Sequence, residues 1–230
     1  MRDVIPDELR EAIQNHFRHE ARGAESGWES AAEDEDTLTG DIGAHLRRDW
    51  TRRVRADGGL WRWRVTYKKF RGRGRDALEN KIGADGIVQV EVRRDRDPVV
   101  ATKGVLFQAK KGRLERDTHF LEQMSKMETL APAGAVVFQY SADGYFAASA
   151  RDLLAATRHE RPLGTVRPTP LGAYLADTFL ACGIGLRGMY YDAVRSVLVV
   201  PLAVGRSGLL QARIVHRIAL EIERNPIILA

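Results

Sequence analysis

The chain has 230 residues, of which 44% are hydrophobic and 29% charged, and 36 Lys and Arg against 31 Asp and Glu leave a net charge of +5. This composition supports a buried core and excludes a disordered polymer. The lone Cys182 excludes an internal disulfide and a cysteine-rich zinc site, and the lack of a long apolar segment or signal sequence predicts a cytoplasmic protein that does not enter a membrane.

The N-terminal part of the chain predicts two helices. The first spans about 6–20, because Pro6 suits a first helical turn and apolar residues recur every four positions after it. The second spans about 31–49 and has an apolar stripe of Leu38, Ile42 and Leu46. Gly43 lies within this stripe region, and a residue this small would let another backbone approach the helix closely.

The rest of the chain predicts an α/β fold with a central mixed sheet flanked by helices. Alternating or continuous apolar runs predict strands at 60–67, 86–92, 105–110, 135–140, 145–148 and 197–202. Helical spacing predicts helices at 114–130, 152–158 and 171–182. Segment 209–223 fits either a helix or a strand. The proline-rich loop at 161–170 predicts a boundary between a core, 1–160, and a C-terminal α/β extension, 161–230, that packs on the core or mediates assembly.

Two basic clusters follow predicted strands and are candidates for binding nucleic-acid phosphates. A solvated loop and a solvated hairpin tip would explain them equally well in isolation, but both flank the polar motif described next. The candidate phosphate contacts in these clusters are Lys68, Lys69, Arg71, Arg73, Arg75, Arg93 and Arg94.

Polar residues lie at the ends of two successive predicted strands. Asp85, within Gly83-Ala84-Asp85-Gly86, begins one strand, and Gln108-Ala109-Lys110 ends the next, 23 positions later. Because residues two apart on a strand face the same side, Gln108 and Lys110 project together while Ala109 points into the fold. The spacing therefore predicts that these polar groups act together.

Glu35 is a further candidate, since it shares the helical face of Leu38 and Ile42 and so points towards the sheet. Each element also has a plainer explanation. Asp85 next to a glycine fits an ordinary turn, Gln-x-Lys occurs often by chance, and Glu35 fits a first-turn acid on the helix dipole. The order, the spacing and the apolar strand attached to each polar end favour a common site.

This arrangement of a helix acid, a strand aspartate and a Gln-x-Lys strand end resembles the PD-(D/E)xK nuclease superfamily, and the glutamine resembles the Mrr-like restriction endonuclease branch. The resemblance covers about 31–150 and implies a restriction-endonuclease-like core. It implies that Mg²⁺ (or Mn²⁺) is held by Glu35, Asp85, Gln108 and the Ala109 carbonyl, since hard cations take oxygen ligands. Lys110 would then position the attacking water.

The resemblance implies a metal-dependent nuclease, most simply an endonuclease that cuts DNA in prokaryotic restriction or phage defence. Gln123 and Lys126, on the predicted helix 114–130, are further candidates for phosphate contact. A homo-oligomer or a partner defence protein is expected to control such a small enzyme. Two alternatives stay open: a catalytically inactive nucleic-acid-binding or assembly subunit, because Gln108 replaces an acid, and a junction resolvase or RNase that uses the same site.

Overall fold

The computed structural model describes residues 4–70, 82–94, 99–115, 117–202, 206–211 and 214–226. The predicted class is confirmed: a central mixed sheet is flanked by helices. The helices are α1 (Asp7–Ser26), α2 (Trp28–Ala31), α3 (Glu35–Leu46), α4 (Thr118–Leu130), α5 (Ala150–Arg158) and α6 (Leu171–Ala173). The strands are β1 (Val54–Ala56), β2 (Gly59–Lys69), β3 (Gly86–Arg94), β4 (Val99–Lys111), β5 (Ala135–Ser141), β6 (Gly144–Ser149), β7 (Thr169–Pro170), β8 (Leu186–Arg187), β9 (Tyr190–Asp192), β10 (Val197–Leu202), β11 (Arg206–Gln211) and β12 (His216–Pro226).

In the described ranges, nine strands form the central sheet in the order β1-β2-β12-β3-β4-β5-β6-β7, with β8 paired to β4. The pairs β12–β3 and β4–β5 are parallel and the other neighbours are antiparallel. The remaining described strands, β9 to β11, form a small antiparallel sheet. The large sheet therefore carries the polar strand ends named above, at the start of β3 and the end of β4.

The last strand lies inside this sheet. β12 pairs antiparallel with β2 along its whole length and parallel with β3 over nine positions, from His216 opposite Gly86 to Arg224 opposite Arg94. Segment 209–223, which fitted either a helix or a strand, is therefore in strands β11 and β12 over 209–211 and 216–223, and its alternating Ile218, Leu220 and Ile222 are buried in the core. The described residues after position 160 thus supply three strands of the central sheet, β7, β8 and β12, as well as the small sheet.

Helices cover both faces of the sheet. Helices α1 and α3 pack on one face, where they share a core with alternate residues of β3 and β4 such as Val105 and Phe107. Helices α4 and α5 pack on the other face, together with the small sheet, against Leu106 and Val137. Because β4 alternates, Ala109 lies in the first core, as predicted, and Gln108 and Lys110 lie on the α4 side.

Two predicted helices differ in detail. Helix α3 begins at Glu35 because Asp34 caps it: the Asp34 carboxylate accepts a 2.7 Å hydrogen bond from the Thr37 N–H, which also holds the pKa of Asp34 below its ordinary value. A Cβ on Gly43 would lie 2.3 Å from the Tyr67 ring, so the close neighbour is a side chain rather than a backbone. The segment predicted as a helix at 171–182 is helical over Leu171–Ala173 and continues as a π-helical turn, Tyr174–Phe179.

None of the helices in the described part of the chain combines the length and the apolar character needed to cross a bilayer.

Candidate active site

The termini of four strands, β2, β3, β4 and β12, lie together at one end of the central sheet. His216, at the start of β12, lies opposite Lys69 at the end of β2 and opposite Gly86 at the start of β3. Gly86 in turn lies opposite Phe107, just before the end of β4. The insertion of β12 between β2 and β3 therefore brings residues that are distant in sequence to one place, beneath the N-terminus of α3.

A cavity of about 870 Å³ opens at this edge. It is lined by every residue predicted from the sequence to act in catalysis or to hold a metal: Glu35, Asp85, Gln108, Ala109 and Lys110. Lys69 and Gln123, predicted to contact phosphates, line the same cavity. The structure thus brings a helix end and two strand ends together around one space.

Asp85 is held in place from three sides. Its Oδ2 accepts a 2.7 Å hydrogen bond from the Ala109 N–H, and its own N–H donates to the Phe107 carbonyl at 2.9 Å. Its carbonyl accepts hydrogen bonds of 3.1 Å from the N–H groups of Val215 and His216. The carboxylate therefore joins β3 to β4 instead of capping its own turn, which disfavours the plain turn explanation for the Asp-Gly pair.

Gln108 carries an unpaired buried oxygen. The residue is 2% exposed, and its Nε2 lies 3.5 Å from the Ala109 carbonyl oxygen. Its Oε1 is buried and has no hydrogen-bond partner among the described residues. Leaving a buried acceptor unpaired costs about 1–3 kcal/mol, so this oxygen is suited to a partner beyond the described residues, such as a water or a bound ligand. A hard cation in the cavity would supply one, and the donor set fits such a cation.

Lys110 and Glu35 form the rim of the cavity. The Lys110 Nζ lies 3.7 Å from the Glu35 Oε2 and 5.5 Å from the centre of the Phe120 ring. The Glu35 Oε1 accepts a 3.1 Å hydrogen bond from the Lys111 N–H, which ties the first turn of α3 to the end of β4. Glu35 therefore does face the sheet, as the helical spacing predicted, and it contacts the lysine directly.

A hydrogen-bonded chain of Tyr67, His216 and Asp36 borders the cavity and was missed at the sequence level. The His216 Nε2 lies 2.7 Å from the Asp36 Oδ1, and its Nδ1 lies 2.9 Å from the Tyr67 hydroxyl. Burial, together with the Asp36 carboxylate, raises the pKa of Tyr67 to about 12, so its hydroxyl stays protonated and donates to Nδ1. A carboxylate only accepts, so the His216 Nε2–H donates to Asp36.

Burial lowers the pKa of His216, against the opposing effect of the Asp36 carboxylate, which favours the neutral ring that this pairing needs. The acid was visible in the sequence beside Glu35. The histidine was not, because it lies within segment 209–223, whose secondary structure the pattern left undecided.

The remaining predicted phosphate contacts are scattered. Lys126 pairs with Glu122 at 2.9 Å on α4 and does not line the cavity, and the Lys68 Nζ lies 5.0 Å from the centre of the Phe70 ring. Arg93 and Arg94 end β3, about 26 Å from Gly86 at about 3.3 Å per residue, so the structure does not bring them to this edge. The other candidates, Arg71, Arg73 and Arg75, lie outside the described residues.

The charge balance of the cavity favours a cation. Its acids are Asp34, Glu35, Asp36 and Asp85, and its lysines are Lys69 and Lys110. Within the described ranges, no group of three or more His, Cys, Asp and Glu side chains is placed to hold a metal. A cation here would therefore depend on neutral oxygens, from Gln108 and Ala109, in addition to carboxylates.

No protein-family model, no curated protein and no solved structure matches this chain. An assignment of function therefore depends on the residues of this cavity and their chemistry.

Proposed function

We propose that the protein is a Mg²⁺-dependent (or Mn²⁺-dependent) nuclease that hydrolyses DNA phosphodiester bonds, with a PD-(D/E)xK-type site in a restriction-endonuclease-like core. The observation that supports this most directly is the meeting of Asp85, Gln108 and Lys110 at one cavity. These are the three residues that the sequence motif singles out, and they come from the start of one strand and the end of its neighbour.

The cation would be held by the carboxylates of Asp85 and Glu35, by the unpaired Gln108 Oε1 and by the Ala109 carbonyl. All are hard oxygen donors of the kind that Mg²⁺ takes. When bound, such a cation supplies Lewis-acid polarisation of the phosphoryl oxygen and makes water a stronger nucleophile. The chain itself contributes the placement: the Ala109 N–H fixes the Asp85 carboxylate, and the Lys111 N–H fixes Glu35.

Lys110 contributes a fixed positive charge. Its ammonium group is held near the rim by Glu35, so it lies ready to orient an attacking water and to offset negative charge on the scissile phosphate. Lys69 and Gln123 line the same cavity and would contact the DNA backbone, with Lys68 beside them on β2. Such contacts position a duplex without reading its sequence.

The proposal includes a cytoplasmic role in restriction or phage defence and control by self-association or by a partner defence protein. These parts derive from the family resemblance alone.

The test is a cleavage assay on supercoiled plasmid, linear duplex and RNA, with Mg²⁺, Mn²⁺ or EDTA. Asp85→Asn and Lys110→Ala are each expected to lower metal-dependent cleavage of DNA at least about a hundredfold, since each removes a charge from the reacting centre. Arg158→Ala is the matched control, because it removes an exposed cation at the end of α5 that does not line the cavity. We expect its activity within about threefold of the wild type.

A binding or assembly subunit without catalysis is the second candidate. It is favoured by the neutral Gln108, in a site where no three His, Cys, Asp or Glu side chains of the described residues are placed to hold a metal. Duplex binding without cleavage, unchanged in Asp85→Asn and Lys110→Ala, would support that candidate and reject the nuclease. Cleavage confined to RNA or to four-way junctions would instead show that the same site serves an RNase or a resolvase.

A further inference from the structure

A second cavity, of about 740 Å³, lies at the opposite end of the central sheet. It is bordered by the end of β3, the start of β4, β12 and the small sheet. Strand β3 begins at the candidate active site with Gly86 and lines this cavity with Glu91 and Arg93, about 17 and 23 Å further at about 3.3 Å per residue, and Arg217 reaches it from the start of β12, opposite Ile87. The two cavities share no lining residue.

The floor of this cavity is a buried ion-pair network. Glu91 is 6% exposed, and it accepts hydrogen bonds from the Gln89 Nε2 at 2.6 Å, from Arg217 at 2.8 Å and from Arg93 at 3.1 Å. One carboxylate therefore holds two guanidinium groups in fixed positions. The Arg217 Nε is buried and has no hydrogen-bond partner among the described residues.

Arg187 adds a third guanidinium from β8, next to Lys103 of β4. It forms no ion pair with any residue that the structure describes. The second acid of the cavity, Asp192, is already engaged, because its Oδ1 accepts hydrogen bonds from the N–H groups of Val194 at 2.9 Å and Arg195 at 3.1 Å. Three arginines thus face two occupied carboxylates, which leaves guanidinium donors for an anion.

The walls of the cavity are apolar. Val99, Val100 and Val194 are 39%, 49% and 95% exposed, and Tyr190 lies beside them. The volume falls in the range of small-molecule sites, about 300–1,000 Å³. A bare phosphate backbone gains nothing from apolar walls, whereas a ligand with an anionic end and a planar apolar body would use both the floor and the walls.

We propose that this cavity binds a small nucleotide. Its phosphate would lie on Arg93, Arg187 and Arg217, whose planar donor forks match several phosphate oxygens at once. Its base would lie against the valine wall and Tyr190. The site is distinct from the candidate active site and does not depend on whether that site cuts DNA.

The test is calorimetric titration of the whole protein with AMP, adenosine and inorganic phosphate. AMP is expected to bind at least tenfold more tightly than either of the others. Arg187→Gln and Arg93→Gln are each expected to weaken AMP binding at least tenfold, since each removes a charge-assisted hydrogen bond. Arg158→Gln is the matched control, because Arg158 is exposed at the end of α5 and does not line the cavity. It should change the affinity by less than twofold.

Failure of AMP to bind at millimolar concentration would overturn the proposal, as would inorganic phosphate binding as tightly as AMP. Asp85→Asn should leave AMP binding unchanged. If it abolished binding, AMP would be occupying the candidate active site instead. Equal weakening of duplex and AMP binding in Arg187→Gln would show that the cavity contacts a DNA backbone, and would also overturn the small-ligand site.

Discussion

The two ends of the central sheet carry opposite charge on the same strands. Where β4 ends, the cavity has four carboxylates and two lysines; where β3 ends, the cavity has three arginines and two carboxylates. Strand β3 runs from one cavity to the other, and β12 contributes His216 to the first and Arg217 to the second. The sheet therefore supplies only the framework, and the side chains at the strand ends decide that one end suits a cation and the other an anion.

The middle of the sheet carries a buried charged side chain that lines neither cavity. Lys103, on β4 between the two ends, is 1% exposed. Its Nζ donates to the Phe179 carbonyl and lies 4.6 Å from the centre of the Phe179 ring. Burial lowers the pKa of Lys103 to about 8. At the ends charges remain within reach of a ligand or solvent, whereas here the fold bears the cost of a desolvated charge.

The largest expected effect is on the pH dependence of the free energy of unfolding, in the variant Lys103→Met. The folded protein releases this proton near pH 8, whereas the unfolded chain keeps it up to about pH 10.5. Between these values the unfolded state binds more protons, so the free energy of unfolding of the wild type rises with pH. The expected rise is about 3 kcal/mol. Below pH 8 the variant should be the more stable protein, because a methionine has no charge to desolvate.

The measurement is urea denaturation of both proteins from pH 7 to pH 10.5. Both proteins also carry Cys182→Ala, because Lys103 lowers the pKa of the Cys182 thiol, which would otherwise titrate differently in the two. The difference between the two curves then reports the Lys103 ammonium group. The Phe179 carbonyl keeps the Cys182 N–H as a partner at 3.1 Å in the variant, so no acceptor is left unpaired. Parallel curves over the whole range would mean that Lys103 is not held in a desolvated position.

The residues of the first cavity could be grouped from the sequence because they are local. Asp85, Gln108 and Lys110 belong to two strands that are neighbours in the chain, and alternation alone fixes which of them face together. Glu35 follows from helical spacing in the same way. The direction of each of these side chains depends on a pattern within one helix or strand. Pairing between strands that are distant in sequence was therefore not needed to group them.

The second cavity and the hydrogen-bonded chain of Tyr67, His216 and Asp36 could not be predicted from the sequence, for one reason. Both depend on β12, whose insertion between β2 and β3 is a pairing across more than a hundred residues that no local pattern encodes. Arg93 was grouped with the motif because it is close in sequence, but a nine-residue strand carries it to the far end. Arg217 and His216 are adjacent in the chain, yet they lie on opposite faces of β12 and serve different regions.

Gln108→Glu tests the difference between the ends more directly. A carboxylate at this position adds one negative charge to the cation end, and divalent-cation affinity is expected to rise about tenfold, or about 1.4 kcal/mol. AMP affinity should change by less than about threefold, because Gln108 does not line the second cavity and salt screens its charge over the length of β3 that separates it from Arg93. Calorimetry with Mg²⁺ and with AMP measures both.

Gln139→Glu is the matched control for this variant. Gln139 lies opposite Lys110 on β5, its Nε2 donates to the Gly112 carbonyl at 2.8 Å, and it does not line the cavity. It adds the same charge one strand away, and Mg²⁺ affinity should stay within about threefold. An equal gain in both variants would indicate a general electrostatic effect, and would remove Gln108 from the proposed cation site.

The smallest expected effect is on the free energy of unfolding, when one tyrosine hydroxyl is removed beside each cavity. Tyr67→Phe removes the hydroxyl that donates to the His216 Nδ1 and leaves a buried ring nitrogen unpaired, while the ring still fills the space against Gly43. The loss should be about 1 kcal/mol in the free energy of unfolding. The Tyr190 hydroxyl makes no hydrogen bond with any described residue, so Tyr190→Phe should stay within about 0.5 kcal/mol of the wild type. Equal losses in urea denaturation would mean that the hydrogen bond to His216 adds nothing, and that the chain from Tyr67 to Asp36 does not hold α3 against the sheet.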